Sequence, residues 1–334
     1  MNADGIAEWF RRQGHQVIRS ESSFWYNAGP RVFQAFPYHW VIQPTEHELR
    51  QLMLQHNILA LRYSVPWNSP TGIASYHVVL NSPYGLEMLR PQARNGVKRG
   101  LATFQIEPIS LDRLADEGWR LQKDTLERQN RTSSMPQEAW QRLCLSAKGL
   151  DGFEAWGAIV HGELAGSLLV NRVDNICTIP YAQSHSKYLH DHVNNALFYT
   201  VCCNLLARKG VKSIFFCLHS LDAPDSVNEF KFRMNFNIKP VRQRVDFHPL
   251  LQPFANPINY NLVARLLKRY PGSYIYSKAE GMLRFHLLGK QPLFEQEWPQ
   301  CMQHLKPELA NPQIYEKITL DGYVKPSISE VRGL

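Results

Sequence analysis

The sequence predicts an α/β fold, a mixed sheet flanked by helices, and three observations carry that prediction. Between Ala155 and Phe247 the chain reads as three strands, a helix, a strand, a short helix and a last strand. Each strand is rich in β-branched or aromatic residues and is bounded by turn formers. Upstream of them, one further strand and two amphipathic helices give the same alternation of periods.

The first hundred residues carry strand-like runs at His15–Ser20, Arg31–Phe36, Ile58–Tyr63 and Ser75–Leu80. One helix stands out among them, Thr45–Gln55, where Thr45 is a natural N-cap and Glu48 completes a capping box. Pro66, Pro70, Gly72 and Pro83 break the region into loops. Arg90, Arg94, Lys98 and Arg99 then fall at i, i+4, i+8 and i+9, a cationic stripe on one helix. Next come a strand at Thr103–Pro108 and helices at Leu111–Gln129 and Pro136–Ala147.

Strands Ala155–Val160 and Ala165–Asn171 are joined by a tight turn through His161, Gly162 and Glu163, and Asn175–Gln183 follows. The helix from about His190 to Arg208 is stopped by Gly210. Ser213–Leu218 is a strand, the Phe230–Phe236 region a short helix, and Ile238–Phe247 the last strand. Beyond Pro249, Pro253 and Pro257 the reading is a helix at Tyr260–Tyr270, then Gly281–Leu288 as a strand or a buried helical turn, then a Pro-rich tail ordered only in part.

A chain of 334 residues is long enough for two compact domains, since single cores stop growing near roughly 250–300 residues. With 44% hydrophobic and 20% charged residues the composition is that of a globular protein, not a disordered one. No apolar run approaches the roughly 20 residues that a membrane span requires. The N-terminus opens on Asp4 and Glu8 with no basic-then-apolar signal, so the expected location is the cytoplasm. Cys144, Cys177, Cys202, Cys203, Cys217 and Cys301 fall mostly in apolar elements and read as free thiols. They show neither a Cys-x-x-Cys pair nor zinc-finger spacing, so no metal is expected. A net charge of +8 favours anionic partners.

The element order, the Phe230-Lys231 to Phe236 segment and the basic run from Arg90 to Gly100 together resemble the GNAT acyltransferase superfamily, in its FemAB-like branch. That resemblance implies two tandem GNAT-like units. The first, degenerate, would span residues 1–100 with the basic connecting helix, the second, complete, 101–250, and a C-terminal extension 251–334. It also implies a donor held where the fourth and fifth strands part, here Asn175–Gln183 and Ser213–Leu218. Pro180 lacks an amide hydrogen and suits the bulge or edge that such a parting requires; an ordinary edge-strand proline is the alternative.

Candidate residues follow from that placement. His185, Tyr181, His219 and Glu229 are the groups available as a general base for an acceptor amine or hydroxyl. Gln183, Ser184, Ser186, Lys187, Asn194 and Lys231 are the candidates for holding the donor, with the helix N-terminus adding positive charge. Coenzyme A-using relatives have glycines between the strand and that helix, and none occurs here between Gln183 and Val193. Trp25, Tyr26, Tyr63, Trp67 and Arg94 are the candidates for binding a sugar, peptide or anionic acceptor, with core packing the alternative for the aromatics. A metal at His185, His190, His192 and His219 is disfavoured, because His-x-His on a helix points its two rings about 200° apart. The sequon Asn130-Arg131-Thr132 carries no meaning in a cytoplasmic protein.

The expected activity is transfer of an acyl group from an activated donor, acyl-coenzyme A, to an amine or hydroxyl of a cell-envelope or polysaccharide precursor, by direct attack without a covalent enzyme intermediate. Two readings remain beside it: an aminoacyl-tRNA-dependent peptidyl transferase, and a non-catalytic scaffold. Arg265, Lys268 and Arg269 add a peripheral contact with anionic membrane to any of the three. Oligomeric state does not follow from the sequence.

Overall fold

Strands form at β1 (Val17–Arg19), β2 (Phe24–Gly29), β3 (Val32–Phe36), β4 (Ala60–Val65), β5 (Ile73–Asn81), β6 (Gln105–Ile109), β7 (Phe153–Val160), β8 (Glu163–Val173), β9 (Ile176–Ser184), β10 (Ser213–Leu218) and β11 (Asn237–Phe247). The helices are α1 (Asp4–Arg12), α2 (Glu46–Gln55), α3 (Pro91–Thr103), α4 (Leu111–Arg128), α5 (Gln137–Ser146), α6 (Val193–Leu206), α7 (Asp225–Arg233), α8 (Pro257–Arg269), α9 (Tyr274–Gly289) and the single turn α10 (Lys306–Leu309). The computed structural model describes residues 3–129, 135–219 and 225–309, with backbone only over 225–228. The sequon at Asn130 and the Pro-rich end lie outside the described residues.

Two compact units divide the chain, Met1–His15 with Val78–Asn237, and Gln16–His77 with Ile238–Leu334. The division is interleaved, where the sequence suggested serial boundaries at residues 100 and 250. The chain changes unit inside β5, between His77 and Val78, and again at the first residue of β11. The N-terminal α1 belongs with the first unit because Trp9 Nε1 donates to the Leu143 carbonyl at 2.9 Å and Arg12 Nη1 to that of Lys148 at 2.9 Å.

In the first unit the sheet order is β6-β7-β8-β9-β10, antiparallel except for the parallel β9/β10 pair. The β7/β8 hairpin closes through His161 and Gly162, both at positive φ (51° and 81°), the left-handed pair that a two-residue hairpin turn demands. Successive β8 residues address opposite faces of the sheet. Ser167 hydrogen-bonds toward α4 through Gln183 and Gln122, while a Cβ at Gly166 would meet Val193 and Leu197 of α6. Buried Leu114, Leu121, Trp140 and Leu143 fill the α4/α5 side, and Val193, Leu197, Phe198 and Val201 the α6 side.

The second unit has the order β1-β2-β3-β4-β11. β1/β2 and β2/β3 are antiparallel, α2 crosses over to the parallel β3/β4 pair, and β11 lies antiparallel to β4. This repeats the succession β7, β8, β9, α6, β10, so the chain contains two tandem units of one α/β plan, the earlier lacking the strand and long helix that precede the hairpins of the other. The helix expected at Thr45–Gln55 forms, and Thr45 Oγ1 accepts the Glu48 amide at 3.1 Å. Its Leu49, Leu52 and Met53 join Trp25, Phe33, Ile58, Leu61 and Tyr63 in one core. The Gly281–Leu288 region is the second half of α9, a helix. Among the described residues no helix is long and apolar enough to cross a membrane.

Candidate active site

Parallel pairing of β9 with β10 covers only Ile176, Cys177 and Thr178 against Ser213, Ile214 and Phe215. Beyond Thr178 and Phe215 the two strands run on to Ser184 and Leu218 without pairing with each other. The cause is visible on the other side of β9. There the register against β8 shifts: Thr178 faces Asn171 and Tyr181 faces Leu169, leaving Ile179 and Pro180 opposite Val170 alone. A bulge bends its strand, and a proline within it has no amide to donate to a neighbour. Thr178 Oγ1 donates to Asn171 Oδ1 at 2.6 Å and fixes the last paired position.

The open segment of β10 carries Phe216 and Cys217. Lys231 of α7, 7% exposed, lays its ammonium 3.1 Å from Cys217 Sγ and 5.0 Å from the Phe216 ring centroid. Phe198, Phe216, Phe230 and Phe236 meet edge-on or tilted at 5.2 to 6.5 Å and form the apolar wall beside that cation. Burial pushes the thiols of Cys144 and Cys177 up to about 12 and about 11, and that of Cys202 well above its ordinary value. Cys217 differs from these three in being only half-buried and in having a cation at hydrogen-bonding distance.

A second polar cluster forms where β9 ends. Asp124 of α4 accepts the Ser186 amide at 3.1 Å and its hydroxyl at 2.7 Å, and lies 3.3 Å from His185 Nδ1 and 3.2 Å from Arg128. Asp124 and Arg128 were not among the expected residues; the signal available was their i, i+4 spacing near the end of a helix predicted to flank the sheet. Lys187 is exposed, with its ammonium 3.2 Å from Tyr188 Oη, which in turn donates to Glu163 at 2.9 Å. At the start of α6, His192 adopts φ 61° and supplies no side-chain cap. Asn194 sits half-buried in the first turn that follows. α3 takes up one side of that turn through Gly96 and Gly100, where a Cβ at Gly100 would stand 2.6 Å from the His192 carbonyl oxygen.

Several expected residues have other work. Gln183 is buried, its Oε1 accepting from Ser167 and its Nε2 donating to Gln122, which ties the side chain to α4. Ser184 is buried too, with its backbone bonded to Thr125. Tyr181 presents its ring edge-on to Trp9 and Trp140, at 6.5 and 5.8 Å, on the α4/α5 side of the sheet. The Glu229 carboxylate is taken by Arg233, 3.0 Å away on the same helix. His219, half-buried, follows the end of β10. Arg94 donates to the carbonyls of Leu86, Glu87 and Leu89 and thereby closes the turn before its own helix, leaving the cationic stripe without one member.

The aromatic candidates of the second unit are structural. Trp25 is fully buried, with Nε1 donating to Ser20 Oγ at 2.8 Å. Tyr26 and Tyr38 share a hydrogen bond of 2.6 Å. Tyr63 donates to Asp246 at 2.6 Å, and burial raises its pKa far above the ordinary phenol value. Trp67 packs edge-on against Trp298 at 5.0 Å. This unit does hold a small, half-open pocket of about 70 Å³ lined by Thr71, Arg244, Asp246, Phe285, His286 and Lys290. In it, Thr71 Oγ1 and His286 Nε2 are buried atoms with no hydrogen-bond partner among the described residues. Among the described residues no three His, Cys, Asp or Glu side chains are grouped to hold a metal.

The fold is GNAT-like. It is similar to FemX, with a TM-score of 0.53 at 9% identity over 74% of this chain and 92% of that one. It is also similar to a conserved protein of unknown function from Bacteroides thetaiotaomicron, with a TM-score of 0.50 at 12% identity over 73% and 90%. The C-terminal domain of a putative lysylphosphatidylglycerol synthetase from Agrobacterium fabrum aligns at 0.49, with 12% identity over 72% and 86%. No family model and no curated protein matches the sequence.

Proposed function

We propose that this protein transfers an acyl or aminoacyl group from an activated donor to an amine or hydroxyl of a cell-envelope or polysaccharide precursor, and that the reacting carbonyl lies where β9 and β10 part. The observation that carries the reading is the end of pairing at Thr178 and Phe215 beside a proline-containing bulge. An acyl donor is already activated, so the protein's contribution is orientation and charge. The β9 edge beyond Thr178, not taken by β10, offers backbone groups to an extended donor, much as an added strand would use them. Lys231 supplies positive charge against the developing oxyanion or the leaving group, held in place by the Phe216 and Phe230 wall. The acceptor attacks directly, and its proton passes to a base; His219, next after the open strand, is the candidate that stays on this edge.

Acyl-coenzyme A is the first donor to test and aminoacyl-tRNA the second. The second is favoured by the start of α6, where no glycine precedes the helix and α3 occupies one side of the first turn that would cradle a pyrophosphate. Thermal-shift titration with acetyl-coenzyme A, longer acyl-coenzyme A species and coenzyme A reads the first donor directly, because a ligand of the native state raises the melting temperature. A saturable shift supports the coenzyme A donor. Its absence, together with salt-dependent binding of aminoacyl-tRNA, supports the second donor. Failure of both donors to bind the folded protein overturns the transferase reading in favour of a scaffold.

A further inference from the structure

α8 has no buried residue, and it lies in the part of the chain richest in exposed apolar side chains. Seven of the thirteen large hydrophobic side chains exposed among the described residues fall between Leu250 and Ile275. Leu250, Phe254, Ile258 and Leu262 recur every four residues and are 76%, 63%, 79% and 54% exposed, and Ile275 at the start of α9 is 73% exposed. Scattered exposed hydrophobics need no explanation, but a concentration of them on one segment marks a surface that meets something.

The charge around that surface is of one sign. From Phe247 to Ala279 the sequence contains Arg265, Lys268, Arg269 and Lys278 and no Asp or Glu. At 100° per residue, Arg265 and Arg269 share the face of Ile258 and Leu262, so one exposed face is apolar in its first half and cationic in its second. The inner side of the helix is tied down: Asn256 caps it by accepting the Asn259 amide at 3.0 Å, and Tyr260 donates to Glu280 of α9 at 3.1 Å. The exposed face is therefore carried on a fixed helix and cannot turn inward.

We propose that α8, with the turn before it and the start of α9, docks on an anionic lipid surface. Leu250, Phe254, Ile258 and Leu262 enter the boundary between headgroups and acyl chains, and Arg265, Lys268 and Arg269 reach the phosphates with their long stems. A protein partner or a second copy would meet the apolar stripe equally well. What favours the membrane is the unbroken positive charge beside it, which matches a surface of phosphates and repels its own copy. The inference stands apart from the proposed activity.

Co-sedimentation of the full chain with phosphatidylglycerol-containing vesicles, and with phosphatidylcholine vesicles as the neutral control, tests it. The expected result is binding to the anionic vesicles that weakens with salt, at least tenfold less binding to the neutral ones, and an undocked monomer in sedimentation velocity. Ile258→Glu with Leu262→Glu, and separately Arg265→Glu with Arg269→Glu, are each expected to lower vesicle affinity at least tenfold while melting as the parent does. No binding to anionic vesicles, equal binding to both kinds, or full binding by either double variant overturns the proposal. So does a dimer in solution that Ile258→Glu with Leu262→Glu dissociates, which would assign the stripe to a second copy.

Discussion

Gly100→Ala and Gly281→Ala are the same substitution in two helices, and the structure assigns them opposite signs. In a helix interior, alanine is favoured over glycine by about 0.5–1 kcal/mol, chiefly because glycine has more freedom to lose. At Gly281 in α9 no atom of the described residues lies within 4 Å of the added Cβ, so that gain is realised. At Gly100 in α3 the Cβ would stand 2.6 Å from the His192 carbonyl oxygen and 2.8 Å from the Ala196 Cβ. Neither obstacle is the end of a flexible side chain, so α3 and the first turn of α6 must separate. Overpacking of this kind costs about 1–3 kcal/mol, which leaves a net loss centred near about 1 kcal/mol, and up to about 2.5 kcal/mol, after the propensity gain. Urea unfolding followed by tryptophan fluorescence measures both variants against the parent. A Gly100→Ala midpoint at or above the parent's, or a Gly281→Ala midpoint below it, would refute the close approach of α3 to α6 and the open setting of α9.

Other expected outcomes are as follows. Burial, with Lys239 adding repulsion, lowers the pKa of His39 to about 4, and His77 lies well below its ordinary value for the same first reason. These rings bind fewer protons folded than unfolded, so the stability they confer is complete above about pH 6.5 and is lost as pH falls from there toward 4. His39 alone accounts for up to roughly 3 kcal/mol, and a His39→Gln variant should show a shallower loss in acid denaturation; an unchanged profile would count against it. Lys231→Met should lower transfer at least tenfold with unfolding unchanged or delayed, because a buried ammonium is replaced by an apolar side chain of similar length; full activity would remove Lys231 from the site.

The opening of β9 was legible because a single chemical fact, the missing amide of Pro180, is local. So was the α2 cap, where Thr45 and Glu48 are three residues apart. Side-chain direction past the bulge was not legible: Ile179 and Pro180 count as one position, so which face Tyr181 and Gln183 take depends on a register that strand alternation alone does not contain. Arg94 misled for a related reason, since helical spacing says which side chains align but not that the preceding turn offers three carbonyls. α1 was missed as an element of the first unit because what anchors it, the carbonyls of Leu143 and Lys148, lies over a hundred residues away. The Lys231–Cys217 contact joins a helix to a strand across the residues between them, a pairing that no local spacing encodes.

Because the chain changes unit inside β5 and again at β11, order of synthesis and order of folding do not coincide. When Asn81 leaves the ribosome, β1 to β4 and α2 are present, yet the strand that pairs with the free edge of β4 has still to be synthesised. The open β4 must wait while all of β6 to β10 is made, so the second unit, whose strands are the first to be synthesised, is completed last. For that interval it carries an unpaired edge, the state in which strands find wrong partners. The interleaving also means that no single cut yields either unit whole: a fragment ending near residue 100 lacks β11, and one beginning there lacks α1.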